Sequence, residues 1–357
     1  MDGCPPADEV DVRAVLVAHG YDPDSTDTAV IDSDAVSVAG DLVLTRDATL
    51  SARDVAARSG ADLDKVLAIY HHVGVLVPDV DAAQFSEADV DFVVGMLKAG
   101  EIGITIGLTG GDALLRVVAG SIERIAEAAV AVYVQGPEQA LRRRTATAFE
   151  CARANAEANE LALGLGASLG PVFRHHMHQA ITRQRVIQQG VSRRELARLA
   201  IGFVDLVGST ELQADLDPAE LGAQVSRFEA RAFDVIAAGG GRLVKFIGDE
   251  IMVAATDPAA GVRILRDLVD AFTDDGTQPR GGMVFGEVLF RHGDYYGPVV
   301  NLAARLVDAA IPGEALVDRS VVEALKDDDD LTFEPAGRRM LKGFDVPVGV
   351  WSLAPGC

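Results

Sequence analysis

Two aspartates stand where an apolar strand does not tolerate an isolated acid. Asp205 interrupts the run from Leu199 to Val207, and Asp249 follows Gly248 at the end of Arg-Leu-Val-Lys-Phe-Ile-Gly-Asp-Glu, residues 242–250. Burying a carboxylate is expensive unless it is paired or holds a cation. Two such acids on neighbouring strands therefore suggest a shared divalent ion, and oxygen donors favour Mg²⁺ or Mn²⁺ over softer metals. The turn after Asp205, formed by Leu206, Val207, Gly208, Ser209 and Thr210, offers backbone N–H groups of the kind that cradle phosphate. A triphosphate carrying its metal fits both features.

The elements that must position these residues follow a regular order in the second half. A strand over 199–207 leads to a helix over 218–238, ended by Gly239-Gly240-Gly241. A hairpin over 243–255 comes next, with the Gly248-Asp249 turn at its tip. A helix over 259–272, a strand over 281–290, a loop over 291–297, a helix over 299–310 and a strand over 314–318 complete the set. This is βαββαβ, and its natural packing is a four-stranded antiparallel sheet with helices on one face. In such a ferredoxin-like sheet the first strand lies beside the hairpin, so Asp205 can face Asp249.

The first half has a different grammar. Ser51, with Asp54 three residues on and Gly60 at the far end, brackets a short helix. A second helix over 62–72 presents Val66, Ile69, Tyr70 and Val73 on one face. The pair resembles a helix-turn-helix, but Arg53, Arg58 and Lys65 are matched by Asp54, Asp62 and Asp64, which leaves no basic recognition face. Ser86 caps a third helix, and a stripe of Leu115, Val118, Ala119, Ile122 and Ile125 on a helix over 112–134 predicts close packing. Residues 141–189 read as helical with an interruption over 164–171. Near their end lie His175, His176 and His178, three of the seven histidines, in the range where imidazole titrates near neutrality. That placement makes them candidate pH sensors.

Composition narrows the alternatives. A formal net charge of -22 argues against a general grip on nucleic acid or on an anionic membrane. Three scattered cysteines suggest neither a disulfide framework nor a zinc site. The acidic start does not read as a secretory signal, and no run approaches the roughly 20 apolar residues that span a bilayer. The expected location is the cytoplasm, with a peripheral membrane contact left open.

The second half resembles the catalytic domain of class III adenylate cyclases over about residues 197–353. Phe-Val-Asp-Leu-Val-Gly-Ser-Thr at 203–210 is similar to that family's first-strand motif, and Lys-Phe-Ile-Gly-Asp-Glu at 245–250 to its hairpin. Gly-Pro-Val-Val-Asn-Leu-Ala-Ala-Arg-Leu at 297–306 is similar to its transition-state helix, and Leu-Lys-Gly-Phe at 341–344 to its ending. The resemblance implies ATP as substrate, two divalent ions (Mg²⁺ or Mn²⁺) on Asp205 and Asp249, and adenine recognition by Lys245 and Asp294. It also implies that Asn301 orients the ribose and that Arg305 stabilises charge on the α-phosphate. A homodimer with shared active sites is implied as well, Lys245 of one chain facing Asp294 of the other.

The expected class is therefore α+β, a ferredoxin-like βαββαβ catalytic domain over 197–357. It follows an all-α regulatory domain over 1–173 and a linker helix over 174–196. More weakly, the first half resembles the autoinhibitory helical modules of soluble actinobacterial cyclases. Two other readings remain at this stage: a catalytically silent nucleotide-binding sensor, which would lose a metal acid or Arg305, and a helix-turn-helix regulator, which would need a basic face.

Overall fold

The computed structural model describes residues 14, 17, 34–106, 111–144, 146–188, 196–207, 218–274, 277–291 and 293–354. The chain divides into two compact units, Met1–Arg174 and His175–Cys357.

In the first unit, two of the helices start at side chains that satisfy free backbone groups. The helices are α1 (Asp34–Thr45), α2 (Ala52–Ser59), α3 (Leu63–His72), α4 (Glu87–Thr105), α5 (Gly111–Tyr133) and α6 (Gln139–Arg143), and α7 (Ala148–Gln188) starts in this unit and ends beyond its last residue. Ser51 and Asp54 form a reciprocal capping box, and Gly60 closes α2 with φ 72°. Ser86 and Asp89 repeat the box on α4. Asp89 serves twice, since its other oxygen accepts from the buried Tyr70 hydroxyl at 3.2 Å. Burial and that neighbouring carboxylate push the phenol well above its usual range. Tyr70 stacks on Phe85 at 4.5 Å inside a core that includes Val55, Val66, Val90 and Val93. The second and third helices thus act as packing elements.

Two expectations change here. The helix expected to break over 164–171 runs unbroken through Gly164, Gly166, Gly170 and Pro171. Its flanks are rich in strong helix formers, and propagation is cheap once a long helix is nucleated. The apolar stripe on α5 is open: Val118, Ile122 and Ile125 are 41%, 50% and 39% exposed. Among the described residues, no helix is long and apolar enough to cross a membrane.

The second unit is built on β1 (Leu196–Val207), whose apolar run is buried on both sides. Its even-numbered residues Ala200, Val204 and Leu206 enter one core, and its odd-numbered Leu199, Ile201 and Phe203 enter another. A strand of this kind needs cover on both faces. Helices α8 (Pro218–Ala238), α9 (Pro258–Asp274) and α11 (Arg319–Ala324) supply the first face. Helix α10 (Pro298–Ala309) supplies the second through Ala303, Leu306 and Val307. The helices therefore lie on both faces of the sheet and not on one.

The sheet is also wider than four strands. Hairpin β2 (Arg242–Ile247) and β3 (Glu250–Ala255) joins β1, followed by β4 (Gln278–Arg291), β6 (Ala315–Asp318), β8 (Val348–Leu353) and β7 (Phe333–Arg339), in the order β2-β3-β1-β4-β6-β8-β7. Short β5 (Asp294–Tyr296) pairs with the end of β4. The βαββαβ core and the placement of β1 beside the hairpin are as expected, and β4–β6 is a parallel pair within an otherwise antiparallel sheet.

Gly282 on β4 lets α10 approach the sheet. A Cβ there would lie 2.7 Å from Leu306 Cβ, 2.7 Å from Val307 N and 2.8 Å from Ala303 O, and two of these atoms are backbone that cannot rotate away. Gly282→Ala should lower stability by about 1–3 kcal/mol. The check is the denaturation midpoint of the full chain.

Candidate active site

Strand parity gathers the charged residues. Asp205 continues the odd series of β1, Glu250 continues the series of Met252 and Ala254 on β3, and Arg280 continues that of Gly282 and Val284 on β4. All three therefore belong to the face covered by α10. In the β1–β4 ladder Asp205 is directly opposite Arg280. The arginine donates from Nε at 3.0 Å and from Nη2 at 2.6 Å, both to Asp205 Oδ2. Its remaining Nη1 lies 3.4 Å from the Asp308 carbonyl. The carboxylate of Asp308 in turn holds Arg305 Nη1 at 2.7 Å.

Glu250 registers the charge of this corner. Burial, and then the negative charges of Asp205, Asp308 and Asp249, push its carboxyl from the ordinary 4.5 up to about 7, against a smaller opposing pull from Arg280. The corner thus has a surplus of negative charge even with its arginine present. Gly248, with φ 64°, makes the hairpin turn that sets Asp249 next to Glu250.

The donors are all oxygens, which suits a hard divalent cation. Mg²⁺ ordinarily takes one or two protein carboxylates and completes its shell with water and substrate phosphates. Among the described residues, no group of three or more His, Cys, Asp or Glu side chains is assembled to hold a metal by itself. In this structure Arg280 is the counter-cation of Asp205.

A second cluster lies along the same hairpin. The β2–β3 register shifts between Leu243 and Lys245, so Lys245 pairs with Met252 and shares its face. Without that bulge, strict alternation would turn Lys245 into the core with Leu243. Lys245 forms an ion pair with Asp294 at the start of β5. This pairing is within one chain, which corrects the expectation that the two meet across a dimer interface. The β4–β5 hairpin returns close enough to β2 for the contact to form locally.

The remaining expected residues are spread around these clusters. Asn301 is exposed in the first turn of α10, and Arg305 is half-buried one turn later, directed at Asp308. Leu206 is 8% exposed, packed into the core on the face opposite Asp205, which leaves only its backbone for a ligand. The backbone of Val207 ends β1 opposite Gln278, while Gly208, Ser209 and Thr210 lie outside the described residues. His175, His176 and His178 are exposed on α7. Sequence reasoning missed Glu250, Arg280, Asp308 and Arg242. Glu250 follows Asp249 directly and was legible as an acid in a strand, Arg280 is brought opposite Asp205 by the β1–β4 register, and Arg242 reaches Gly293 and Tyr295 through its side chain.

No protein-family model matches the chain. An adenylate cyclase of Glutamicibacter nicotianae is 31% identical over 314 residues, 82% of this chain and 75% of its own length. An uncharacterized protein of Mycobacterium bovis is 36% identical over 298 residues, 82% of this chain and 76% of its own. A pH-sensitive adenylate cyclase of Mycobacterium tuberculosis is 29% identical over 322 residues, 86% of this chain and 78% of its own. The Glutamicibacter relative, 31% identical with 75% of its length covered, shows the nucleotidyl cyclase class. The chain belongs to the adenylate cyclase family and is an enzyme.

A carboxyl raised in the folded state binds its proton more tightly there than in the unfolded chain. Its contribution is full below pH 4.5 and is lost as pH rises toward about 7. Glu250→Gln mimics the protonated form. In chelator, the variant should match the parent chain near pH 4.5 and exceed it in stability at pH 8. Urea titrations at the two pH values test this, and equal gaps at both would contradict it.

Proposed function

We propose that this enzyme converts ATP to 3′,5′-cyclic AMP and pyrophosphate at active sites shared between two copies of the chain. The observation that carries the reading is the convergence of Asp205, Glu250 and Lys245 on the sheet face that α10 covers, with Asp294 paired to Lys245. Lys245 donates to a purine ring nitrogen and Asp294 accepts from the exocyclic amine. This pattern suits adenine and mismatches the oxygen acceptor and ring N–H of guanine. Asn301 and Arg305 share a helical face, so both can meet one nucleotide, Asn301 at the ribose and Arg305 at the α-phosphate. The backbone N–H groups of residues 206–210 cradle the triphosphate.

Asp205 and Asp249 would hold two divalent ions, Mg²⁺ or Mn²⁺, and such ions would supply a lowered pKa for the ribose 3′-hydroxyl and charge neutralisation for the triphosphate. Arg280 must release Asp205 for this, and its link to Asp308 gives the guanidinium an alternative partner. Arg305 likewise leaves Asp308 to meet charge that develops on the α-phosphate, an interaction worth most in the transition state.

Two copies arranged head to tail place the acids of one opposite Lys245, Asp294, Asn301 and Arg305 of the other, giving two equivalent sites. Residues 1–173 act as the regulatory half and residues 174–196 as the connection to the catalytic half, 197–357. Likeness to a relative named as pH-sensitive, together with three exposed histidines on α7, supports pH as the signal.

Cyclic AMP formation from ATP with Mn²⁺ or Mg²⁺ tests the reaction, and its absence under both would overturn it. Arg305→Ala should reduce kcat far more than it weakens ATP binding. Mixing Asp205→Ala with Arg305→Ala chains should restore activity in one of the two sites, and failure despite demonstrated mixed dimers would contradict site sharing. Replacing His175, His176 and His178 with Gln should flatten the pH profile between pH 5 and 8, whereas an unchanged profile assigns the sensing elsewhere.

A further inference from the structure

The two residues that flank Asp294 are held by one arginine. Arg242 opens β2, three residues before Lys245. Its Nη1 donates to the Tyr295 hydroxyl at 2.9 Å and its Nη2 to the Gly293 carbonyl at 2.7 Å. The same guanidinium lies 5.3 Å from the Tyr295 ring centroid and 5.8 Å from that of Phe290, within cation–π range. Phe290 and Tyr295 are cross-strand partners whose rings are 5.3 Å apart, and Tyr295 is 7% exposed. Between the two groups that Arg242 holds stands Asp294. Its Oδ1 accepts from the Tyr295 N–H at 2.8 Å, and its Oδ2 pairs with Lys245.

This arrangement has a mechanical meaning. Strand β5 has three residues and is tied to β4 by three pairs, so its ladder alone leaves the Gly293–Tyr296 tip weakly held. Gly293 supports the turn with φ 82° and adds no side-chain anchor. Arg242 connects this tip to the strand that carries Lys245, through two hydrogen bonds and two aromatic faces. A guanidinium suits the task because its planar fork bonds two acceptors while its face stacks, whereas an ammonium offers neither geometry.

We propose that Arg242 is a specificity-determining positioning residue. It fixes the separation between the Lys245 donor and the Asp294 acceptor, and thereby the match to a 6-aminopurine over a 6-oxopurine. The inference rests on the adenine reading of Lys245 and Asp294, and Arg242 itself contacts no substrate. Loosening the tip lets Asp294 drift relative to Lys245, so the amine acceptor is no longer held at the spacing adenine requires. The effect should appear in KM and in base selectivity, because the phosphate chemistry lies with other residues.

The experiment is steady-state kinetics of the full-length chain with ATP and with GTP in Mn²⁺, for Arg242→Gln, Arg242→Lys, Tyr295→Phe and Asp294→Ala. With Arg242→Gln, the ATP-over-GTP ratio of kcat/KM should fall about tenfold, the equivalent of one net charged hydrogen bond. Most of the loss should lie in a raised KM for ATP. Arg242→Lys should rescue little, and Tyr295→Phe, which removes one acceptor and keeps the ring, should shift the ratio the same way by a smaller factor. Asp294→Ala reports on the adenine reading separately. If it leaves the ratio unchanged, that reading fails and the proposal with it. If it lowers the ratio while Arg242→Gln and Tyr295→Phe keep parental ratios, the reading stands and the proposal is overturned. An equal fall in kcat for both nucleotides at constant ratio also overturns it, as the mark of a merely structural residue. Should Arg242→Gln fail to fold, Tyr295→Phe alone decides between these outcomes.

Discussion

Strand β1 is buried on both faces, and its two-residue pleat assigns every side chain to one of two cores. That constraint governs the rest of the second unit. Because Leu199, Ile201 and Phe203 must meet α10, Asp205 is committed to the same face at the end of the strand. The antiparallel ladders on either side then determine its company, Arg280 across β4 and Glu250 along β3. A shift of one residue in either ladder would send these charges into the opposite core, where α9 packs Leu265 and Leu268. The acid corner is a consequence of packing the strand correctly, and the close seat of α10 over Gly282 keeps its far wall in place.

The corner is electrostatically unfinished. Arg280 neutralises Asp205, yet burial and three nearby carboxylates still raise the Glu250 carboxyl to about 7. Arg305 is similarly engaged with a local acid, Asp308. Both arginines thus have acidic partners within the chain. The base end of the hairpin is arranged differently. There, Lys245 and Asp294 already satisfy each other, and Arg242 braces the acceptor through its neighbours.

The first unit shows how far local signals reach. Ser51, Gly60 and Ser86 act as helix boundaries, because capping is a contact between residues three or four apart and needs no tertiary context. Apolar periodicity was a weaker guide. It identified α5 correctly as a helix, but Val118, Ile122 and Ile125 remain open on it. The same limit applies to α7, where glycine and proline suggested a break that a 41-residue helix absorbs.

The sequence by itself determined the βαββαβ order, the neighbouring positions of β1 and the hairpin, and the residue types that suit a metal–nucleotide site. These follow from alternation, turn residues and the chemistry of acids in apolar strands, all of which are local. Tertiary structure alone decided the opposition of Arg280 and Asp205, the bulge that rotates Lys245 onto the α10 face, the second helix layer and the grip of Arg242 on the β5 tip. The Arg242–Gly293 contact joins residues 51 apart and the Asp205–Arg280 pair residues 75 apart, while the bulge depends on how the hairpin strands register against each other. Register is set by the fit of two cores at once. No local pattern encodes it, because a one-residue slip leaves every propensity unchanged while exchanging the faces of every side chain.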